Sequence, residues 1–324
     1  MCEKIAVSVH CITYNHEKYI ADAIESFLMQ KTNFDFEVLI HDDASIDGTT
    51  RILKEYERKY PELIKVVYQK ENQHSKGIKV RSRFLKPITN GKYIATCEGD
   101  DFWIDKYKLQ KQYDVLENNS NVSMVSHVTS ILENNENYVG HIKPRRIKKI
   151  YNCKDVIINS TSFHTSSKMY RAKLLQKNPG FFSNSPGGMV SSNLFLSYVG
   201  DVYFINENMS CWRKSTKGSF TERTNETNES YVKLQLSQIN LFNEFDKYTS
   251  FKYRKHIIKA IRKREQKVRM KTIKLFPFTF IFRKQYYESC NISNNTMKTR
   301  MIFKDYFFLL LLLFRKVSLK ITKK

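Results

Sequence analysis

Hydrophobic positions along this chain alternate between two spacings. Ile5-Ala6-Val7-Ser8-Val9-His10-Cys11-Ile12 is a short, nearly continuous apolar run, the pattern of a buried strand. From Tyr19 to Met29 the apolar residues are Ile20, Ala23, Ile24, Phe27 and Leu28, which fall on one helical face. Phe36-Glu37-Val38-Leu39-Ile40 predicts a second strand, and Asp47 is placed to cap a helix carrying Leu53 and Tyr56. Leu63 to Tyr68 predicts a third strand, a helix follows around 80–88, and Lys92 to Cys97 predicts a fourth strand. Next come a helix at about Lys106 to Leu116, a strand from Val122 to Val128, and a polar loop or hairpin from Asn134 to Ile150. Tyr151 to Arg213 reads as mixed α and β, and the chain turns helical and basic from Tyr231 onward. Strands alternating with helices at this spacing predict an α/β fold built on a doubly wound, mostly parallel sheet.

Charge sharpens the division of the chain. The 324 residues carry a formal net charge of +23, which invites a nucleic-acid reading. Phe251 to Lys324 holds 21 Lys and Arg against 3 acids, or +18; the first 250 residues hold 34 against 29, only +5. The excess therefore belongs to the C-terminal region, and no nucleic-acid partner is expected. The six cysteines form no C-x-x-C pair, so neither a zinc nor a redox motif is expected. With no signal peptide evident at Met1-Cys2-Glu3-Lys4, a cytoplasmic location is expected.

Ligands of doubly wound sheets sit beyond the carboxyl ends of the strands. Polar clusters follow three of the predicted strands. They are Thr13-Tyr14-Asn15, then His41-Asp42-Asp43-Ala44-Ser45, then Cys97-Glu98-Gly99-Asp100-Asp101-Phe102-Trp103. Three carboxylates within four residues repel one another and call for a cation. Hard oxygen ligands at a strand end suit Mg²⁺ or Mn²⁺, ions that bridge to phosphate oxygens. Tyr14 can stack on a base and Asp43 can accept a base N–H. Neither G-x-G-x-x-G after the first strand nor G-x-x-x-x-G-K-S/T anywhere is present, so dinucleotide and Walker-type sites are not indicated.

In combination these pieces resemble family 2 glycosyltransferases of the GT-A fold. The resemblance runs over about residues 5–118. It takes in Val7-Ser8-Val9 to Asn15, Ala21 to Gln30, Asp42 to Thr49, Asn72 to Gly77, Gly91 to Trp103 and Tyr107 to Gln112. A weaker match near Met209-Ser210-Cys211-Trp212-Arg213 and Lys217-Gly218-Ser219-Phe220 resembles the domain end of bacterial capsule and lipopolysaccharide transferases. It implies a Rossmann-like GT-A domain over 1–225, with a nucleotide-binding half to about 130 and an acceptor half after it. A helical, basic region would occupy 226–324. It also implies a metal-dependent, inverting transfer of sugar from a nucleotide-sugar donor, most simply a UDP-sugar, to a glycan or lipid-linked acceptor of the cell surface. By the same resemblance Ile12, Thr13, Tyr14, Asn15 and Asp43 would hold base and ribose, and Lys76 and Arg81 the diphosphate. Glu98 takes the first position of the D-x-D element. Asp100 and Asp101 would serve ribose or an Mn²⁺ or Mg²⁺ ion, and Asp101 and His164 would be catalytic.

One part of the pattern is missing. Similar sequences carry a basic Asp just before an apolar helix equivalent to Leu194-Phe195-Leu196. Here the stretch is Ser185 to Asn193, and no Asp or Glu occurs from Val156 to Gly200. His164, Asp201 and Glu207 are the candidate substitutes for the proton acceptor. A GT-A domain that binds nucleotide-sugar or a partner transferase without chemistry is the alternative.

The tail holds two apolar pieces with basic flanks, Leu275 to Phe282 and Tyr306 to Phe314. Both fall short of the roughly 20 residues of a spanning helix. They suit a segment lying in an anionic interface, which predicts peripheral attachment at the inner face of the cell membrane.

Overall fold

In the computed structural model, β1 (Val7–Thr13), β2 (Phe36–Asp42), β3 (Ile64–Tyr68) and β4 (Tyr93–Glu98) are parallel and lie side by side as β3-β2-β1-β4. The structure describes residues 5–133, 137–176, 188–214, 216 and 219–275. These divide into two compact units, one running to residue 222 and one from 223 onward.

Beyond β4 the sheet becomes mixed. β9 (Met169–Arg171) runs antiparallel between β4 and β6 (Val122–Glu133), and β10 (Asp201–Lys214) pairs in parallel with β6. β5 (Phe102–Trp103) and β8 (Ile150–Tyr151) lie antiparallel on β10, and β7 (Asn137–Ile142) folds back on β6 as a hairpin. The α/β, mostly parallel GT-A-like expectation holds, with β9 as the antiparallel strand that joins its two halves.

The helices form where the apolar spacing predicts. α1 (Ile20–Leu28) buries Ile20, Ala23, Ile24 and Phe27, and Phe27 packs on Trp103 with ring centroids 4.7 Å apart. α2 (Thr49–Lys59) buries Thr49 and Leu53, and α3 (Lys108–Asn118) buries Leu109 and Leu116 together with Lys108 and Gln112. The helix expected around 80–88 is instead a π-helical turn, Arg81–Leu85, followed by a 3-10 turn, Lys86–Ile88. Pro87 has no amide hydrogen to continue an α-helix there. α4 (Cys153–Ile158) starts at a reciprocal cap between Asn152 and Asp155, and α5 (Gly188–Val199) follows. At Gly91 the turn into β4 crosses β1 so closely that a Cβ would lie 2.4 Å from the Ser8 amide nitrogen.

α6 (Phe220–Asn225) runs across the division between the units. In the second unit α7 (Asn228–Tyr248) starts at Thr227, whose hydroxyl accepts the Ser230 amide, and α8 (Arg254–Leu275) packs on it. Arg264 is buried at that contact, donating to Gln238 and lying 4.3 Å from the Phe242 ring centroid. Lys255, Lys259, Arg262, Lys263 and Lys267 remain exposed on α8. Among the described residues no helix is long and apolar enough to cross a membrane. The apolar run Tyr306 to Phe314 and nearly all of Leu275 to Phe282 lie outside the described residues.

Candidate active site

Strand register brings the polar clusters to one edge. Thr13 is level with Asp42, and Ile12 is level with both His41 and Glu98. The end of β1 ties both neighbouring loops to itself. Its Ile12 carbonyl accepts the Gly99 amide at 2.9 Å, and its Thr13 carbonyl accepts the Asp43 amide at 3.0 Å. Gly99 is required by this approach, since a Cβ there would sit 2.8 Å from Thr13 Cβ and Oγ1.

The loops after β1 and β2 are locked together. Asn15 (φ 56°) and Ala44 (φ 65°) both adopt left-handed backbone, a strain that non-glycine residues keep only where the surroundings enforce it. Asn15 Oδ1 accepts the Ile46 amide at 2.9 Å, and the Asn15 amide donates to Ser45 Oγ at 2.9 Å. Ser45 and Thr50 hydroxyls donate to the two oxygens of Asp42, each at 2.6 Å. Asp43 is buried and accepts the Gln73 and His74 amides at 2.8 and 3.0 Å, which draws the 73–77 turn to the end of β2. Ile12 and Tyr14 are half-buried. Lys76, on that turn, is paired with Glu71 at the surface and is not gathered into the strand-end cluster.

The acidic turn between β4 and β5 separates its three carboxylates. Glu98 Oε1 accepts from Arg81 Nη2 at 3.1 Å. Burial works against the Arg81 charge, but Glu98 and Tyr170 together outweigh it and hold the guanidinium above its ordinary range. Asp101 is turned into the interior, 1% exposed, where its Oδ1 accepts the Arg213 amide at 3.1 Å. Burial, then repulsion from Asp100 and Glu98, push the Asp101 carboxyl well above the usual range. Asp100 sits between them. Its Oδ2 accepts the Thr216 hydroxyl at 2.8 Å and lies 3.9 Å from His16 Nε2.

Arg213 anchors this turn from β10. Its Nη1 donates to the Asp100 carbonyl at 3.1 Å and its Nη2 to Asp22 of α1 at 2.5 Å. The guanidinium lies 4.4 Å from the Phe102 ring centroid and 5.2 Å from that of Tyr19.

Behind Asp101 lies the 3-10 turn Thr165–Ser167, held by Thr96 Oγ1 donating to the Thr165 carbonyl and Trp103 Nε1 donating to the Ser166 carbonyl. His164 caps the turn. Its Nδ1 accepts the Ser166 amide at 3.3 Å, faces Ser166 Oγ at 2.7 Å, and lies 3.9 Å from Asp101 Oδ2. That network assigns the ring hydrogen to Nε2. Burial, helped by Lys168, pushes the imidazole down to about 3. The other two candidate substitutes lie elsewhere. Asp201 begins β10, level with the start of β6 and so at the opposite edge of the sheet, where it accepts from Asn121. Glu207 is exposed and paired with Lys111 of α3.

These donors fit a divalent cation in one mode only. Among the described residues no three His, Cys, Asp or Glu side chains converge to enclose an ion. Mg²⁺ and Mn²⁺ held by one or two carboxylates and by substrate phosphates need no such cage. Arg81 already answers Glu98, and Asp101 faces inward. Asp100, raising the Asp101 carboxyl from beside it, is the carboxylate at the turn whose charge a cation would balance.

The sequence profile of glycosyl transferase family 2 matches residues 8–178, more than half of the chain. The chain belongs to glycosyl transferase family 2. An uncharacterized protein of Mycobacterium tuberculosis is 28% identical over 225 residues, 67% of this chain, and the chain spans only 62% of that relative's length. Bacillus subtilis TuaG, a putative teichuronic acid biosynthesis glycosyltransferase, is 40% identical over 113 residues, 35% of this chain and 42% of TuaG. Among solved structures, S. aureus TarS 1–349 in complex with UDP-GlcNAc superposes with a TM-score of 0.63 at 19% identity, covering 88% of this chain and 79% of TarS. That likeness establishes the GT-A fold.

The structure thus gathers Ile12, Thr13, Asp43, Glu98, Asp100 and Arg81 at one edge, gives Asn15 to loop locking, and leaves Lys76 outside. Sequence reasoning assigned no role to Arg213, Thr216, His16 or Lys168. The Met209–Arg213 stretch carried the signal for the first, but its partners Asp100 and Asp101 lie more than a hundred residues earlier.

Proposed function

We propose that this chain transfers a sugar from a UDP-sugar to a glycan or lipid-linked acceptor in cell-surface polysaccharide synthesis, with inversion at the sugar C1. The observation that carries this reading is the convergence of Asp43, after β2, and Glu98 and Asp100, at and after the end of β4, on either side of the end of β1. Ile12, Thr13, Tyr14 and Asp43 hold base and ribose, with Asn15 fixing their loop. Arg81 and Glu98 lie toward the diphosphate, with Lys76 reaching it from the 73–77 turn if its surface pair opens. Asp100 holds the divalent cation, which when bound supplies positive charge to the departing diphosphate. Asp101 positions this turn through Arg213. His164 donates through Nε2 toward the acceptor side; with Nδ1 engaged and the ring so weakly basic, it is assigned no proton-accepting role. The UDP-GlcNAc complex of TarS and the biosynthetic name of TuaG are consistent with this donor and pathway class. The exposed basic face of α8 supports attachment to an anionic membrane surface.

The absence of a carboxylate from 156–200 favours a second reading, a domain that binds donor without transfer. Calorimetry tests the shared part of both. UDP should bind better than GDP or ADP, Mn²⁺ should tighten it, and Asp100→Ala should remove the Mn²⁺ effect. Equal affinity for all three nucleotides, or an Mn²⁺ effect that survives Asp100→Ala, refutes the site.

A further inference from the structure

The turn between α7 and α8 presents an aromatic residue in a backbone conformation that aromatic residues rarely take. The Phe251 amide donates to the Asp246 carbonyl at 2.8 Å and the Ser250 amide to the Lys247 carbonyl at 2.9 Å. These are the paired bonds that close a helix with a left-handed residue after its cap, a position usually given to glycine. Here it is Ser250, at φ 50°, and Phe251 follows at φ 62°. A bulky side chain at positive φ is an outlier, and such strain gathers where a residue is used. An apolar residue at the position of Phe251 commonly packs back on the helix it ends. Phe251 keeps 49% of its surface exposed, with the Arg254 guanidinium 4.5 Å from its ring centroid.

The surface around this ring is apolar and cationic. Tyr248, in the last turn of α7, is 41% exposed, and Ile258 of α8 is 38% exposed. Ile258 lies three residues after Lys255 and four before Arg262, so the three share one face of the helix. Ile257, Ala260 and Arg264 are buried. Residues 247–263 hold seven Lys and Arg, every one exposed, and no Asp or Glu. Lys247 pairs with Glu244 at 2.9 Å and Arg254 with Asp246 at 3.4 Å; among the described residues the other five form no ion pair. Cations unrelieved by acids select an anionic partner. Aromatic and aliphatic side chains standing among them select one with an apolar layer behind its charge. An anionic lipid surface has both.

We propose that the α7–α8 turn is where this chain enters an anionic lipid surface. Phe251, Tyr248 and Ile258 sit at the boundary between headgroups and acyl chains, and the cations around them meet lipid phosphates. This rests on the membrane attachment proposed above and goes beyond it, since attachment by charge alone needs no apolar contact.

Phe251→Trp in the full chain gives the direct readout. The wild type carries two tryptophans, Trp103 and Trp212, so the difference spectrum reports position 251. Vesicles of equal parts phosphatidylcholine and phosphatidylglycerol should shift that emission to the blue, and acyl-brominated lipid should quench it. Pure phosphatidylcholine vesicles should do neither. Phe251→Gly removes the ring and relieves the left-handed strain. It should lower affinity for the anionic vesicles roughly 3- to 10-fold, about the worth of burying the exposed half of a phenylalanine. Its melting temperature should hold or rise, and UDP binding should not change. Vesicle binding with no change in emission at position 251, or equal vesicle affinity of wild type and Phe251→Gly, overturns the insertion and leaves attachment by charge standing. A lipid-free blue shift that grows with protein concentration assigns the turn to a second copy of the chain and overturns it as well. Wild type that binds no anionic vesicle overturns the attachment reading and this one with it.

Discussion

Replacing Arg213 by Met removes the anchor of the acidic turn while keeping most of the side chain's apolar bulk. Four contacts are lost. The bond to the Asp100 carbonyl at 3.1 Å is buried and charge-assisted, worth about 1.5–3 kcal/mol. The two ring contacts, Phe102 at 4.4 Å and Tyr19 at 5.2 Å, contribute roughly 0.5–1 kcal/mol each. The Asp22 pair is discounted to at most about 0.5 kcal/mol because that carboxylate is 58% exposed. Met regains part of this, since a guanidinium no longer has to be buried. The net loss is about 2–3 kcal/mol, which for a unit of this size lowers Tm by roughly 5–10 °C. The Arg213 amide still reaches Asp101, so the turn loosens around Asp100 specifically. Thermal melting and Mn²⁺-dependent UDP binding read the two effects, and Arg213→Lys, which has no fork to reach both Asp22 and Asp100, should resemble Arg213→Met in binding. A Tm within 2 °C of wild type together with unchanged UDP affinity would refute the reasoning.

Three further outcomes are expected. Burial holds His10, His41, His127 and His164 below the ordinary histidine range, while Asp101 is held above the carboxylate range. As its histidines charge below about pH 6.5, the unfolded chain therefore binds about 2–3 more protons than the folded one, the extra proton on Asp101 being set against four on the histidines, and stability should fall by roughly 3–4 kcal/mol per unit from pH 6 to 5; denaturant midpoints that stay flat over this range would contradict it. Gly91→Ala should cost about 3 kcal/mol, the upper end for an overpacked site, because the new Cβ meets β1 backbone and not a side chain that can swing away; near-normal soluble yield and melting would show that the turn can shift. Replacing Lys255, Lys259 and Lys263 by Gln should weaken binding to anionic vesicles by about 3 kcal/mol, roughly 1 per lysine, and leave UDP binding alone; unchanged partitioning would assign this face no membrane role.

The strands and their ends were legible because each is local. A run such as Val7 to Ile12 declares its burial within a few residues, and the acids of 98–101 follow directly on β4. The roles within that acidic cluster were not legible, since they depend on which carboxylate Arg81 and Arg213 reach. Arg213 and Thr216 meet the turn across more than a hundred residues, and only the pairing of β10 with β5 and β6 brings them there. The antiparallel insertion of β9 was hidden for a similar reason: three residues carry no period of their own, and their place is set by β4 and β6 on either side. Lys168 looks like any surface lysine beside Ser166-Ser167; its burial appears only when α5 closes over it.

The most direct test is to incubate the full chain and its Asp100→Asn variant with Mn²⁺, a panel of UDP-, GDP- and ADP-sugars, and a polyprenyl-linked glycan, and to follow nucleotide release and the anomeric configuration of the extended product. The account predicts UDP release coupled to an inverted linkage in wild type and loss of both in Asp100→Asn. Release from no donor, a product with retained configuration, or equal turnover by Asp100→Asn would contradict it.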